Sequence, residues 1–454
     1  MAGTVAKIIL RHILRYMVFC GGAPPVRTES RGMDVDYLEI SGGRPLGGEI
    51  NVQGSKNAVL PILAACIPGA GECVIENCPL IRDTEDTFHI MRALGYCISR
   101  TGDAVRITPA DTETYAVERM EAVRIRSSVL FLGALLGKMK KAVLPLPGGC
   151  AIGKRPIDLH LRALEALGAR FEIGETITAW TDGLYGTEID LEFPSVGATE
   201  NTILAAVMAK GETVIRNAAR EPEVDELCAF LRQRGASVRR EADGSIWVDG
   251  QKTLGPAVYR MKADRIVSGT YLLAAAAAGG QVRLINESGE TLSALRAVLS
   301  QMGAVCSAGE NGITVCAAQR VRPVPYLETA PYPGFPTDLQ SPLLAVLAGA
   351  DGESTVCETI FERRFCTAGE LLKFGAKIGT RGRCAHITGV PRLHGAAADA
   401  PDLRGGAALV LAALQAEGRS VIRNTGYIAR GYEDIARDLA LLGADIRWAD
   451  DKAE

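Results

Sequence analysis

Apolar and polar positions along the chain fall into a unit that recurs six times. Each unit contains a stretch that is apolar nearly all the way round: SKNAVLPILAAC (55–66), RSSVLFLGALLG (126–137), SVGATENTILAAVMA (195–209), DRIVSGTYLLAAAAA (264–278), TDLQSPLLAVLAG (337–349) and PDLRGGAALVLAALQA (401–416). A helix without a polar stripe has to be buried on all sides, and the many alanines let such helices approach closely. A short strand and a loop follow, then a second helix that ends at Gly95, Gly168, Gly235, Gly303, Gly375 or Gly443, spaced 73, 67, 68, 72 and 68 residues apart. Glycine just past a helix end supplies the left-handed turn that caps it, and strand-like residues come next each time. Six units of roughly 70 residues that mix strands and helices predict a two-domain α/β (or α+β) protein with three units per domain.

Charged, polar and glycine positions concentrate at two places in each unit, the start of the apolar helix and the loop after the strand. Helix starts present free N–H groups and the positive end of the helix dipole, which favour phosphate or carboxylate. Here they also carry Lys56, Arg126 and Arg404. The loop LPLPGGCAIGKRPIDLH (144–160) gathers the densest chemistry. Pro145 and Pro147 forbid a helix, and Gly148-Gly149 lets the backbone turn, so Cys150 sits on a bend beside Lys154 and Arg155. A guanidinium fork there suits an anion, and a cysteine in an electropositive loop titrates nearer neutral pH. The other cysteines, among them Cys66, Cys97, Cys306 and Cys316, fall in apolar strands or helices, where burial is expected to keep them as thiols.

Composition narrows the classes. With 454 residues, 47% apolar and 23% charged, the chain has an ordinary soluble make-up and can bury two or three cores. A net charge of −3 leaves no basic field for nucleic acid, so an anionic ligand must be met by local clusters. Twelve cysteines without a CxxC pair and five scattered histidines argue against a zinc site or a disulfide framework, and for reduced thiols in a cytoplasmic protein. Residues 1–32 are unlike the rest. AKIILRHILRYMVF (6–19) is broken by Arg11, His12 and Arg15 and is too short to span a bilayer. Met33 opens the regular part, so the tail is expected to lie outside the fold.

The motifs GSKNAVLPIL, LPGGCAIGKRPIDLH, FPSVGATEN, NAAREPE, ADRIVSGT, FPTDLQ, DLRGGAALVLA and ARGYED are specific when taken together. From about Tyr37 to Ile446 the chain resembles the UDP-N-acetylglucosamine 1-carboxyvinyltransferase family, the enolpyruvyl transferases that open peptidoglycan synthesis. The resemblance implies two inside-out α/β domains, one of residues 33–55 plus 263–454 and the other of residues 56–262, with the active site in the cleft between them. Phosphoenolpyruvate and UDP-N-acetylglucosamine are the implied small-molecule partners, and no metal or cofactor is implied.

The resemblance also implies roles for particular residues. Cys150 matches the proton donor to the enol methylene and Asp338 the carboxylate near the sugar 3′-hydroxyl, a general base. Lys56, Arg126, Arg155, Arg364 and Arg430 match cations that clamp phosphate and carboxylate, with Lys56 and Arg430 counted as catalytic and Arg404 as a further substrate contact. Asn57 and Ile360 match sugar contacts. Arg155, Pro156, Ile157, Asp158 and Leu159, with Ser195, Val196 and Gly197, match contacts to uridine and diphosphate. Three positions depart from the family pattern: Val267 where an acid is usual, Arg363 for asparagine and Ala429 for aspartate. They keep open a paralogue that binds the UDP-sugar with weak turnover or none. A shikimate-pathway enolpyruvyl transferase is the other alternative, but it lacks the PGGC loop and the RPxDLH run.

Overall fold

The six apolar stretches form helices buried on every side, as their lack of a polar stripe requires. A computed structural model of the chain describes residues 36–109, 114–117, 126–146, 157–250, 253–309 and 312–450. Its helices are α1 (Lys56–Ala65), α2 (Arg82–Ala93), α3 (Phe131–Met139), α4 (Asp158–Ala166), α5 (Val196–Ala206), α6 (Pro222–Gln233), α7 (Arg265–Ala278), α8 (Ser293–Gln301), α9 (Gln340–Leu347), α10 (Cys366–Leu371), α11 (Leu403–Gln415) and α12 (Ile435–Leu441). The odd-numbered helices are the buried ones. All residues of α7 and α9 are shielded from solvent, and each buried leucine or isoleucine contributes about 2 kcal/mol.

The even-numbered helices lie outside them, amphipathic, and each gives way to its glycine. Gly95, Gly168, Gly235, Gly303, Gly375 and Gly443 all adopt φ between 83° and 103°, the left-handed region expected of a helix-ending glycine. Close packing of the inner helices is visible at Gly133 in α3. A Cβ there would lie 2.3 Å from the Asn201 backbone oxygen in α5.

Six sheets surround these helices among the described residues, five of four strands and one of three. Two hydrophobic cores result. One is built from residues 58–261, and the other from residues 38–52 together with 266–446. Strand pairing explains why the second is discontinuous. Asp36–Ser41 runs antiparallel to Arg419–Arg423, with Leu38 opposite Ile422, and Leu46–Ile50 runs parallel to Gly280–Leu284. The other core supplies its own parallel pair, with Ala257–Arg260 beside Cys73–Glu76.

Two chain segments cross between the cores, and they hold each other. Gly54 and Ala263 form an antiparallel bridge, flanked by Ser55 N donating to Lys262 O (3.0 Å) and Asp264 N to Gln53 O (2.9 Å). Glu226 of α6 accepts the Lys262 N–H at 2.8 Å, so a buried carboxylate braces the crossing.

The cysteines depart from expectation in two ways. Cys357 and Cys384 are disulfide-bonded, because the antiparallel register of Glu353–Cys357 and Cys384–Thr388 sets them directly opposite, with Cα atoms 4.0 Å apart. Cys97 and Cys316 are exposed rather than buried, since each points to the solvent side of its strand, and Cys306 is half-buried. Cys66 is buried as expected. Among the described residues no helix is long and apolar enough to cross a membrane. The tail 1–32 lies outside the described residues.

Burial pushes the Glu226 carboxyl up to about 7 from its ordinary 4.5. The folded chain therefore binds more protons than the unfolded chain between those values, and stability falls as pH rises through that window. Glu226→Gln removes this dependence. Over pH 4.5 to 7 the unmodified chain should lose up to about 3 kcal/mol relative to the variant, measured by urea unfolding at a series of pH values.

Candidate active site between the two cores

The site begins at the crossing. Ser55 caps α1, its Oγ accepting from Ala58 N at 3.3 Å, which leaves Lys56 as the first helical residue. Asp264, 1% exposed, caps two helices at once. Its Oδ1 accepts from Ile266 N (2.8 Å) and Val267 N (3.0 Å) at the start of α7, and its Oδ2 accepts from Lys56 N (2.8 Å) at the start of α1. One carboxylate thus fixes helix starts belonging to both cores. Gln53 in the crossing segment reaches the loop after Arg430, donating to Gly431 O (3.1 Å) and accepting from Glu433 N (2.8 Å).

Two carboxylates then gather four of the expected cations. Asp83, in the first turn of α2, accepts from Arg430 Nε and Nη2 at 2.8 and 3.3 Å and lies 3.2 Å from Lys56 Nζ. Asp338 pairs with Arg364 and with Arg404 Nη2, the latter at 2.9 Å. Asp338 sits in a 3-10 turn, Thr337–Leu339, that leads into α9, so it precedes the α-helix rather than standing inside it. Behind it Arg364 Nε donates to Thr337 Oγ1 (3.3 Å), and that hydroxyl donates to Glu358 Oε2 (2.9 Å). Glu358 Oε1 accepts from Ile360 N and Phe361 N, which shapes the loop carrying Ile360 and Arg364. Asp402 caps α11 through Arg404 N (2.9 Å) and Gly405 N (3.0 Å).

Burial alone would raise both carboxyls. At Asp338 the charges of Arg404, Arg364 and Lys56 outweigh it and hold the acid far below the ordinary carboxylate range. At Asp83 Lys56 and Arg430 do the same to a smaller degree. The Arg364 and Arg404 side chains are only 4% and 3% exposed, whereas Asp338 is 24% exposed. The carboxylate is therefore the reachable member of its cluster, backed by two buried guanidiniums.

A second cluster lies on the core of residues 58–261. Ser195 caps α5 by accepting from Ala198 N, and Gly197 packs against His160 so closely that a Cβ would lie 2.9 Å from the ring. Asn201 ties this corner together, with Nδ2 donating to Val129 O (3.0 Å) and within 3.2 Å of His160 Nδ1, while Oδ1 accepts from Gly133 N (2.8 Å). The segments holding Ile157, Asp158 and Leu159 and holding Ser195, Val196 and Gly197 are thereby brought together. Arg126 starts the 3-10 turn that runs into α3, and Asn57 is half-buried next to Lys56. Cys150, Arg155 and Pro156 lie outside the described residues. Of the departing positions, Val267 is fully buried in the first turn of α7 and Arg363 is exposed.

Sequence reasoning passed over Asp83, Asp264, Glu358 and the His160–Asn201 pair. Asp264 carried a signal, since an aspartate directly before an apolar helix is a strong cap candidate, whereas Asp83 looks like any first-turn acid. Among the described residues no group of three or more His, Cys, Asp or Glu side chains is arranged to hold a metal ion.

Comparison with known proteins places this geometry. Residues 40–439 match the family model described as EPSP synthase (3-phosphoshikimate 1-carboxyvinyltransferase). UDP-N-acetylglucosamine 1-carboxyvinyltransferase 1 of Symbiobacterium thermophilum is 45% identical over 414 residues, 90% of this chain and 94% of that protein. The chain belongs to the UDP-N-acetylglucosamine 1-carboxyvinyltransferases, within the EPSP synthase family. A second member of this carboxyvinyltransferase group, number 2 of Caldanaerobacter subterraneus subsp. tengcongensis, is 43% identical over 90% of this chain and 98% of its own. Among solved structures, the enolpyruvyl transferase NikO from Streptomyces tendae superposes with a TM-score of 0.82 at 26% identity, covering 92% of this chain and 99% of that one. EPSP synthase from Acinetobacter baumannii shares the enolpyruvyl transferase fold, with a TM-score of 0.72 at 19% identity over 92% of this chain and 100% of that one.

Removing the shared cap tests how the carboxyvinyltransferase site is held. Asp264→Ala strands the first N–H groups of α1 and α7 together and should lower stability by about 2–4 kcal/mol, two caps' worth. Urea denaturation of the variant against the unmodified chain measures this. A loss under 1 kcal/mol would show that Asp264 is not the joint between the cores.

Proposed function

We propose that the chain transfers enolpyruvate from phosphoenolpyruvate to the 3′-hydroxyl of UDP-N-acetylglucosamine and releases phosphate, the first committed step of peptidoglycan synthesis, in the cytoplasm. The domains in this reading are residues 33–55 plus 263–454 and residues 56–262. The observation that supports it most is the pair Asp338–Arg404 and Asp83–Arg430 around Lys56, an ionised acceptor and several cations drawn from both cores. Phosphoenolpyruvate carries up to three negative charges and needs fixed cations on its phosphate and carboxylate. Lys56, Arg126, Arg155, Arg364, Arg404 and Arg430 are the cations for it. The sugar nucleotide takes the Ser195–Gly197 corner and the segment from Arg155 to Leu159, with Asn57 and Ile360 against the sugar.

Chemistry follows in two steps. Cys150 gives its proton to the methylene carbon as the 3′-hydroxyl oxygen bonds to the neighbouring carbon, and Asp338 takes the hydroxyl proton. The Cys150 thiolate then takes a proton back from the new methyl group, the double bond re-forms, and phosphate departs with the C–O bond electrons and carries off the proton held by Asp338. An Asp338 held by two arginines is a weak base at rest. When the substrate's anionic groups draw Arg364 and Arg404 toward themselves, the carboxylate gains proton affinity at the moment it is needed.

Purified protein should release phosphate from phosphoenolpyruvate only when UDP-N-acetylglucosamine is present, with no added metal. Turnover that disappears on metal removal, or equal turnover with shikimate 3-phosphate, would count against the assignment. Binding of the sugar nucleotide with no phosphate release would leave the non-catalytic paralogue. Asp338→Asn should lower kcat by about 10²–10⁴-fold.

Cys150 should react selectively with a small anionic epoxide such as fosfomycin, faster when the sugar nucleotide is bound. The cations that hold the phosphonate also favour the thiolate. Exposed Cys97, Cys316 and Cys366 serve as internal controls, since a neutral alkylating agent should label them while the anionic epoxide spares them. Peptide mass spectrometry reads both. An epoxide adduct elsewhere, or full activity of Cys150→Ser, would overturn the role of Cys150.

A further inference from the structure

The buried carboxylate of Asp83 has no part in the steps above, yet its position is that of a substrate anion. It is 3% exposed and sits in the first turn of α2. Its two oxygens meet Arg430 side-on at 2.8 and 3.3 Å, and one of them also lies 3.2 Å from Lys56 Nζ. A phosphate or carboxylate group held by the same guanidinium and ammonium would use the same donors. Lys56 belongs to the chain segment of the first core and Arg430 to that of the second, so the carboxylate also bridges the two. A neighbouring tie, Leu80 N to Glu433 Oε1 at 2.6 Å, runs between the same pair of segments.

We propose that Asp83 is a built-in counter-anion for the Lys56–Arg430 pair, a positioning residue that takes the place of phosphate between turnovers and competes with it for the two cations. The proposal rests on the reading that these cations receive phosphoenolpyruvate. Two like charges brought together without a partner repel each other and bind any available anion tightly. That grip would persist on the phosphate released by the reaction. An internal carboxylate that returns to the cations as phosphate leaves sets their spacing between turnovers and weakens product retention. Specificity benefits as well, since a small free anion must displace Asp83, whereas phosphoenolpyruvate brings a second anionic group with which to do so.

The test uses the full chain with Asp83→Asn and Asp83→Glu. Isothermal calorimetry measures inorganic phosphate binding without turnover. Steady-state kinetics measure its inhibition constant against phosphoenolpyruvate at saturating UDP-N-acetylglucosamine. In Asp83→Asn, phosphate should bind about tenfold more tightly, as expected for loss of a competing charge, and KM for phosphoenolpyruvate and kcat should fall together. Asp83→Glu should stay within about threefold of the unmodified protein, because the charge is kept. A folded Asp83→Asn with unchanged or weaker phosphate binding would overturn the proposal and leave a purely structural ion pair. Backbone hydrogen exchange in the unmodified protein gives a readout free of any folding defect. Saturating phosphate should speed exchange in the first turn of α2 as Asp83 is displaced, and unchanged exchange under saturation counts against the idea. The calorimetric and exchange results stand even if the protein shows no enolpyruvyl transfer, so failure of the activity and failure of this role are separable.

Discussion

Everything in the site hangs on one carboxylate that two helices share. Asp264 satisfies the first N–H groups of α7 and the first N–H of α1, although these helices build different cores. Helix starts leave unpaired donors, and burying them is costly unless an acceptor is found. Here a single acceptor serves both, so neither helix start can shift without the other. Lys56 inherits its position from that constraint, and Gln53, two residues before the capping serine, passes it on to the loop of Arg430.

Around this joint the electrostatics are close to balance. Lys56, Arg364, Arg404 and Arg430 are met by the carboxylates of Asp83, Asp338 and Asp402. The arginines are packed against aromatic rings as well, Arg364 over Phe361 and Arg404 over Tyr432, which restrains planes that would otherwise swing. Such a site is pre-organised, since the acids hold the cations in place before any ligand arrives. An anion entering it exchanges one set of ion pairs for another instead of ordering loose side chains.

The repeat was legible in the sequence because its signals are local. An apolar helix with no polar face must be inside, and a glycine past a helix end must turn left-handed; both hold in all six units. Asp338, Arg364, Arg404, Lys56 and Arg430 were legible through family motifs, and the structure brings them together. Asp83 was not, because an acid in a first helical turn looks like an ordinary dipole partner while its guanidinium lies 347 residues away. The Cys357–Cys384 bond was hidden for a related reason, since only strand register sets two cysteines 27 residues apart face to face. Cys97 and Cys316 were misjudged because apolar neighbours do not reveal which side of a strand a given residue faces.

The pairing of the first strand with one near the end of the chain gives the protein a fixed order of completion. Leu38 finds its partner at Ile422, so that core cannot close until nearly the whole chain has left the ribosome. Residues 58–261 contain the whole of the other core and can pack while the remainder is still being made. During that interval Asp36–Ser41 and Leu46–Ile50 wait as unpaired strands, the kind of edge that other chains can capture. The cations contributed by the late core, Arg364, Arg404 and Arg430, therefore meet Lys56 only at the end of synthesis.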